Sequence, residues 1–115
     1  MSLASEATRL SALIDKGVVD LTATAVALAH AESDYRQARA VAWHRATEGT
    51  AKQREDEVNS LTSPERLQRD LKEGRRVAAL EALRSRRAQL SALQSISNAE
   101  RAEAEFARTG PRMTP

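Results

Sequence analysis

The sequence predicts an all-α protein that folds as a long antiparallel helical hairpin of the coiled-coil type. Three observations support this fold class. The composition is that of long helices, with 22 Ala and 30% charged side chains among 115 residues, and only four Gly and three Pro. Apolar residues recur every seven positions, and one short turn signal separates two long helix-forming arms. The length fits a single domain over residues 1–115.

The first helix is predicted over about residues 3–47. It carries two series of residues at intervals of seven, offset by three and four, which together form what we call the heptad stripe. Such a stripe indicates a helix that packs along its length against a partner. Gly17 interrupts it, and either costs about 1 kcal/mol relative to Ala or allows the backbone of a partner to approach closely. The stripe consists of Leu3, Ala7, Leu10, Ile14, Gly17, Leu21, Thr24, Leu28, Ala31, Tyr35, Ala38 and Ala42.

A turn is predicted over residues 48–50, followed by a second arm over about 51–62 and 64–108. Gly49 suits a helix C-terminal cap, and Thr50 followed by Gln53 is a capping-box pattern. Because Pro favours the first turn of a helix, the second arm is expected to kink or break near Pro64. Gly110 and Pro111 then predict the helix end, with a tail over 109–115.

The apolar residues of the second arm drift around a broad face, which is typical of a helix in a bundle with more than one neighbour. Large apolar side chains are few, so a single hairpin buries little apolar surface. That burial offsets the loss of conformational entropy on folding only weakly. We therefore expect hairpins to pair into a helical bundle, with a dimer favoured, or to bind a helical protein partner. The expected interface consists of Leu10, Ile14, Gly17, Leu21, Leu28, Tyr35 and Trp43.

A basic segment in the second arm is a candidate contact for nucleic acid or an acidic partner. Phosphate contacts along a helix would be independent of sequence and sensitive to salt. The alternative is a solvated face that pairs with acidic residues of the first arm, and it is favoured because no aromatic side chains interleave for base stacking. The segment consists of Lys72, Arg75, Arg76, Arg84, Arg86 and Arg87, against Glu73 and Glu81.

No pattern in the sequence indicates catalysis, a cofactor or a metal. Cys is absent, which excludes a disulfide framework. His30 and His44 are fourteen residues apart, which places them ~21 Å apart on one helix and too far apart to share a metal. Phosphate loops and nucleophile motifs are also missing. We expect a soluble, cytoplasmic protein that is not an enzyme and has no small-molecule substrate.

One resemblance to known proteins rests on short helical segments over roughly residues 30–97. They are Tyr35-Arg36-Gln37-Ala38-Arg39-Ala40, Glu48-Gly49-Thr50, Arg54-Glu55, Ala79-Leu80-Glu81-Ala82-Leu83-Arg84 and Leu90-Ser91-Ala92-Leu93-Gln94-Ser95. In this order they resemble the small helical proteins that tailed bacteriophages encode in replication and recombination gene clusters. The resemblance implies a phage or prophage origin and a helical hairpin, and transfers no functional residue.

Three hypotheses follow for the function. The first is a non-enzymatic oligomeric interaction protein, an accessory factor in phage DNA replication or recombination. The second is a structural or assembly component of a phage particle. The third is a small inhibitor of a host defence system.

Overall fold

The computed structural model describes residues 2–110, which form three helices and no strand. Helix α1 spans Leu3–Arg45, α2 spans Ala51–Leu61 and α3 spans Ser63–Thr109. Helix α1 is the first arm of an antiparallel hairpin, and α2 and α3 together are the second arm. The predicted fold class is confirmed, including the break in the second arm near Pro64.

Helix α1 starts where the sequence predicts and ends two residues earlier. At its start, the Ser2 hydroxyl accepts a hydrogen bond from the Ser5 backbone N–H at 3.0 Å, as expected of a cap. After Arg45 the chain turns over residues 46–50, and Gly49 has a φ of +95°. That left-handed conformation favours Gly, which explains the residue type at the turn. The turn is longer than predicted, and at its start the buried Ala46 still donates its N–H to the Ala42 carbonyl at 2.9 Å.

The capping box at the start of α2 is confirmed. The Thr50 hydroxyl accepts a hydrogen bond from the Gln53 backbone N–H at 3.2 Å. In return, the Gln53 side-chain oxygen accepts one from the Thr50 N–H at 2.9 Å. Two backbone N–H groups that a helix start leaves without partners are thereby satisfied.

Thr62 joins α2 to α3 and separates them into two helices. It is 1% exposed, and its hydroxyl donates a hydrogen bond to the Val58 carbonyl at 2.7 Å. Its own carbonyl accepts one from the Arg66 N–H at 3.0 Å. Pro64 follows within the first turn of α3, where its missing N–H is tolerated. Backbone hydrogen bonding therefore continues around the break.

The chain divides into two compact units that do not follow the helix boundaries. The central unit is Val19–Glu81. The terminal unit combines the chain up to Val18 with the chain from Ala82 onward. Helices α1 and α3 each contribute to both units.

The core of each unit is small. In the terminal unit, Leu10 of α1 and Leu83 of α3 are each 2% exposed. In the central unit, Ala42, Ala46 and Val58 form a buried cluster beside the turn. Because Ala has little side chain to bury, the cluster in the central unit removes little apolar surface from water.

The end of α3 lies close to its predicted position. The helix reaches Thr109, and Gly110 has a φ of +60°, as suits a residue that ends a helix. The rest of the predicted tail, Pro111 and residues 112–115, lies outside the described residues.

Candidate interaction surfaces

Every residue of the heptad stripe is buried or half-buried in the structure. In the terminal unit, Leu3 and Ala7 line a hollow with Leu93 and Ser97 of α3. In the central unit, Ala31 lines a groove with residues of α3. The stripe on α1 therefore packs against the second arm of its own chain.

The predicted interface residues divide into two groups by exposure. Trp43 is off the stripe and 41% exposed, which leaves much of its surface open to a partner. The other predicted residues are covered to different degrees by the second arm, Leu10 and Gly17 most completely. They are Leu10, Ile14, Gly17, Leu21, Leu28 and Tyr35.

The structure shows why Gly17 interrupts the heptad stripe. A Cβ atom added at Gly17 would lie 3.1 Å from Cδ1 of Leu83, within the terminal unit. Such a contact is tighter than ordinary van der Waals separation. The close neighbour of Gly17 is therefore a side chain of the same chain, and not the partner backbone that the sequence suggested.

The face that α3 turns towards α1 differs from the broad apolar face that the sequence suggested. In the central unit the half-buried positions follow four-three spacing, as in a coiled coil, but most carry charged side chains. Long charged side chains cover an Ala-rich surface with their methylene stems and keep the charge in water. The residues at these positions are Glu65, Arg69, Lys72, Arg76 and Ala79.

Two large apolar residues of α3 in the central unit instead face away from α1. Leu67 is 57% exposed and Leu71 is 48% exposed. Gly74 and Ala78 continue the same four-three spacing and are also exposed. At 100° per residue these four positions lie opposite the face that packs on α1. We call Leu67, Leu71, Gly74 and Ala78 the outer stripe.

The side chains of the basic segment differ in their exposure to solvent. Its first three residues belong to the central unit and its last three to the terminal unit. In each unit the set mixes half-buried with exposed side chains. Lys72, Arg76 and Arg86 are half-buried, whereas Arg75, Arg84 and Arg87 are exposed.

A basic cluster around Tyr35 was not predicted. The guanidinium of Arg69 lies 4.5 Å from the centre of the Tyr35 ring, and that of Arg39 lies 5.8 Å from it. Such separations permit cation–π attraction. Arg39 also donates a hydrogen bond to Oδ1 of Asn59 at 2.9 Å, which ties α1 to α2. The i,i+4 spacing of Tyr35 and Arg39 could have indicated their contact on α1. Their partners on the second arm could be identified only once the register of the hairpin was known.

Asp70 holds the Arg69 side chain of this cluster in place. The Arg69 guanidinium donates hydrogen bonds to the Asp70 carboxylate at 3.0 and 3.2 Å. This bonding raises the pKa of Arg69 above its ordinary value, against a smaller opposing effect of desolvation. Arg69 therefore stays charged beside Tyr35 at any physiological pH.

A groove in the central unit combines an Ala floor with charged rims. His30 and Asp34 line it from α1, while Glu65 and Lys72 line it from α3. The Oε2 atom of Glu65 is buried and has no hydrogen-bond partner.

Residues 2–110 contain no group of three or more His, Cys, Asp or Glu side chains placed to hold a metal ion. Within the same range no helix has an apolar stretch long enough to cross a bilayer. Comparisons with protein-family models, with curated proteins and with solved structures find no significant match for this chain.

Proposed function

We propose that this chain is a non-enzymatic helical interaction protein that acts as an oligomer, most simply a dimer. The observation that carries the proposal is the amount of apolar surface left outside the two small cores. Among residues 2–110, eleven large apolar side chains are between 41% and 67% exposed. Leu67 and Leu71 among them are one turn apart on the same face of α3, and apolar residues that cluster on one surface mark interaction sites.

The accessible surface of the chain supports the same conclusion. The chain exposes 8605 Å², whereas a compact monomer of this size exposes about 6,200 Å². The difference, about 2,400 Å², exceeds the ~800 Å² that each partner buries in an interface of standard size. The chain therefore exposes enough total surface to accommodate an interface of standard size.

Sedimentation equilibrium at several concentrations tests the proposal. We expect the mass of a dimer or higher oligomer at micromolar concentration, with dissociation on dilution. A monomer mass at every concentration, together with a stable and cooperative thermal transition, would refute self-association.

We further propose that the oligomer is an accessory factor in phage DNA replication or recombination. The resemblance to phage-encoded helical proteins supports this context. The exposed side chains of Arg75 and Arg87 support contact with phosphates, because Arg matches phosphate geometry.

Fluorescence polarisation with labelled single-stranded and duplex DNA at two salt concentrations tests nucleic-acid contact. We expect binding that weakens steeply with salt and is reduced in an Arg75/Arg87→Ala variant, which changes only exposed side chains. A Lys16→Ala variant on α1 serves as the control and should bind as the wild type does. Absence of binding at low salt would refute nucleic-acid contact and leave a phage structural component or a defence inhibitor as the remaining hypotheses.

A further inference from the structure

We propose that the outer stripe on α3 is the dimer interface and that a second copy of this chain packs on it in antiparallel orientation. This proposal rests on the proposed self-association. It adds which face of the chain forms the dimer and how the two copies are oriented. Four observations in the central unit support it: the surroundings of Gly74, the order of large and small residues, the charges beside the stripe and the area available.

Gly74 is the first observation. It lies within the 47-residue helix α3, where Gly costs about 1 kcal/mol relative to Ala. A Cβ atom added there would meet nothing within 4 Å. Gly17 has an intramolecular reason to lack a side chain, namely Leu83, and Gly74 has none. A second molecule that packs closely against the α3 backbone would explain why position 74 has no side chain.

The order of residue sizes along the outer stripe is the second observation. A two-fold axis between positions 72 and 73 would place Leu71 opposite Gly74 of the second copy. The same axis places Leu67 opposite Ala78, so that each large side chain meets a small residue. In a parallel dimer the Gly74 residues would face each other and leave a gap. The antiparallel pair is thus self-complementary, as a two-fold interface requires.

The charges that flank the stripe are the third observation. Asp70 and Glu73 are balanced by Arg66 and Arg75, and all four side chains are exposed. This surface therefore neither repels a second copy nor attracts a strongly acidic partner. A second copy suits it better than nucleic acid does.

The area available is the fourth observation. Leu67 and Leu71 expose about half of their surface, and Val77 beside them is 44% exposed. These side chains would form the apolar centre of an interface, and the flanking charged side chains would form its polar rim. Two copies joined along the outer stripe would bury these side chains without disturbing either unit.

A Gly74→Leu substitution tests the inference in the full chain. Leu favours helix more than Gly does, so the monomer should keep its helical circular dichroism. At the interface the added side chain would overpack the dimer and raise its dissociation constant by roughly 10- to 100-fold. An Ala40→Leu variant adds the same bulk to an exposed position of α1, and it should dimerise as the wild type does.

Oxidative cross-linking gives a second measurement that adds no bulk. Because the chain has no Cys, a single Leu71→Cys substitution should form a disulfide-linked dimer near the two-fold axis. A single Ala40→Cys substitution should form none. If Gly74→Leu loses helicity, the cross-linking result decides.

The outcomes separate the inference from the proposed function. A wild-type dimer that persists in Gly74→Leu and does not cross-link through Leu71→Cys would refute this face and leave self-association intact. A wild-type chain that is monomeric at all concentrations would refute both.

Discussion

Gly17 and Gly74 occupy interior positions of long helices and have opposite surroundings. Gly17 faces Leu83 so closely that a Cβ atom would lie 3.1 Å from its Cδ1 atom, whereas nothing in the chain lies near Gly74. The absence of a side chain thus permits an intramolecular contact at Gly17, whereas at Gly74 it leaves the helix surface open. Substitutions at the two positions should consequently affect different properties.

A Gly17→Val substitution is expected to lower the free energy of unfolding by about 1–3 kcal/mol, because the added methyl groups would overpack the core of the terminal unit. Urea denaturation followed by circular dichroism measures this change. A Val19→Ala substitution on the exposed side of α1 is the control, and it should change stability by less than about 0.5 kcal/mol. An unchanged unfolding midpoint in Gly17→Val would contradict the close packing against Leu83.

Glu6 near the start of α1 provides a prediction of pH dependence. The Arg9 guanidinium donates hydrogen bonds to its carboxylate, and this lowers the pKa of Glu6 below its ordinary value. Since the folded-state pKa is below the unfolded one, the pair stabilises the helix above the unfolded pKa. The contribution is lost as pH falls through the folded-state pKa. NMR titration should show a higher Glu6 pKa in an Arg9→Gln variant, and an equal pKa would contradict the interaction.

At the scale of single elements, α2 depends on its neighbours and its caps. It has eleven residues, and helices this short are marginal when isolated in water. The Thr50–Gln53 capping box fixes its start, and the Arg39–Asn59 hydrogen bond ties it to α1. Val58 buries its side chain against Ala42 and Ala46 beside the turn.

A Thr50→Ala substitution is therefore expected to lower the free energy of unfolding by about 1 kcal/mol, since it removes the cap of the Gln53 N–H. Thermal unfolding followed by circular dichroism provides the measurement. Thr47 is exposed in the same turn, and Thr47→Ala should have a much smaller effect. Equal effects of the two substitutions would indicate that the capping box contributes nothing.

The features that sequence reasoning predicted are those that depend on local chemistry or on a regular apolar repeat. The heptad stripe, the capping box and the break near Pro64 belong to this group. The face of α3 that packs on α1 could not be predicted from the spacing of apolar residues. Arg69, Lys72 and Arg76 on that face are charged, so they do not contribute to an apolar repeat. The Tyr35 cluster was missed for a related reason, as its partners come together only once the register of the hairpin is known.

For the whole molecule, self-association predicts a stability that depends on protein concentration. The melting temperature should rise as the chain concentration increases from about 1 to 100 μM, because association stabilises the folded state by mass action. Differential scanning calorimetry or circular dichroism at several concentrations tests this. The Gly74→Leu variant has a higher expected dissociation constant, so it should melt at a lower temperature than the wild type at the same concentration. A wild type whose melting temperature does not change with concentration would contradict an associating chain.

The hairpin topology also has a consequence for the order of folding. In the central unit Ala42 and Val58 are sixteen positions apart, whereas in the terminal unit Leu3 and Leu93 are ninety positions apart. The entropic cost of closing a loop rises with its length, so contacts beside the turn should form first and those near the chain ends last. Native-state hydrogen exchange should accordingly start near Leu3 and reach the Val58 amide last.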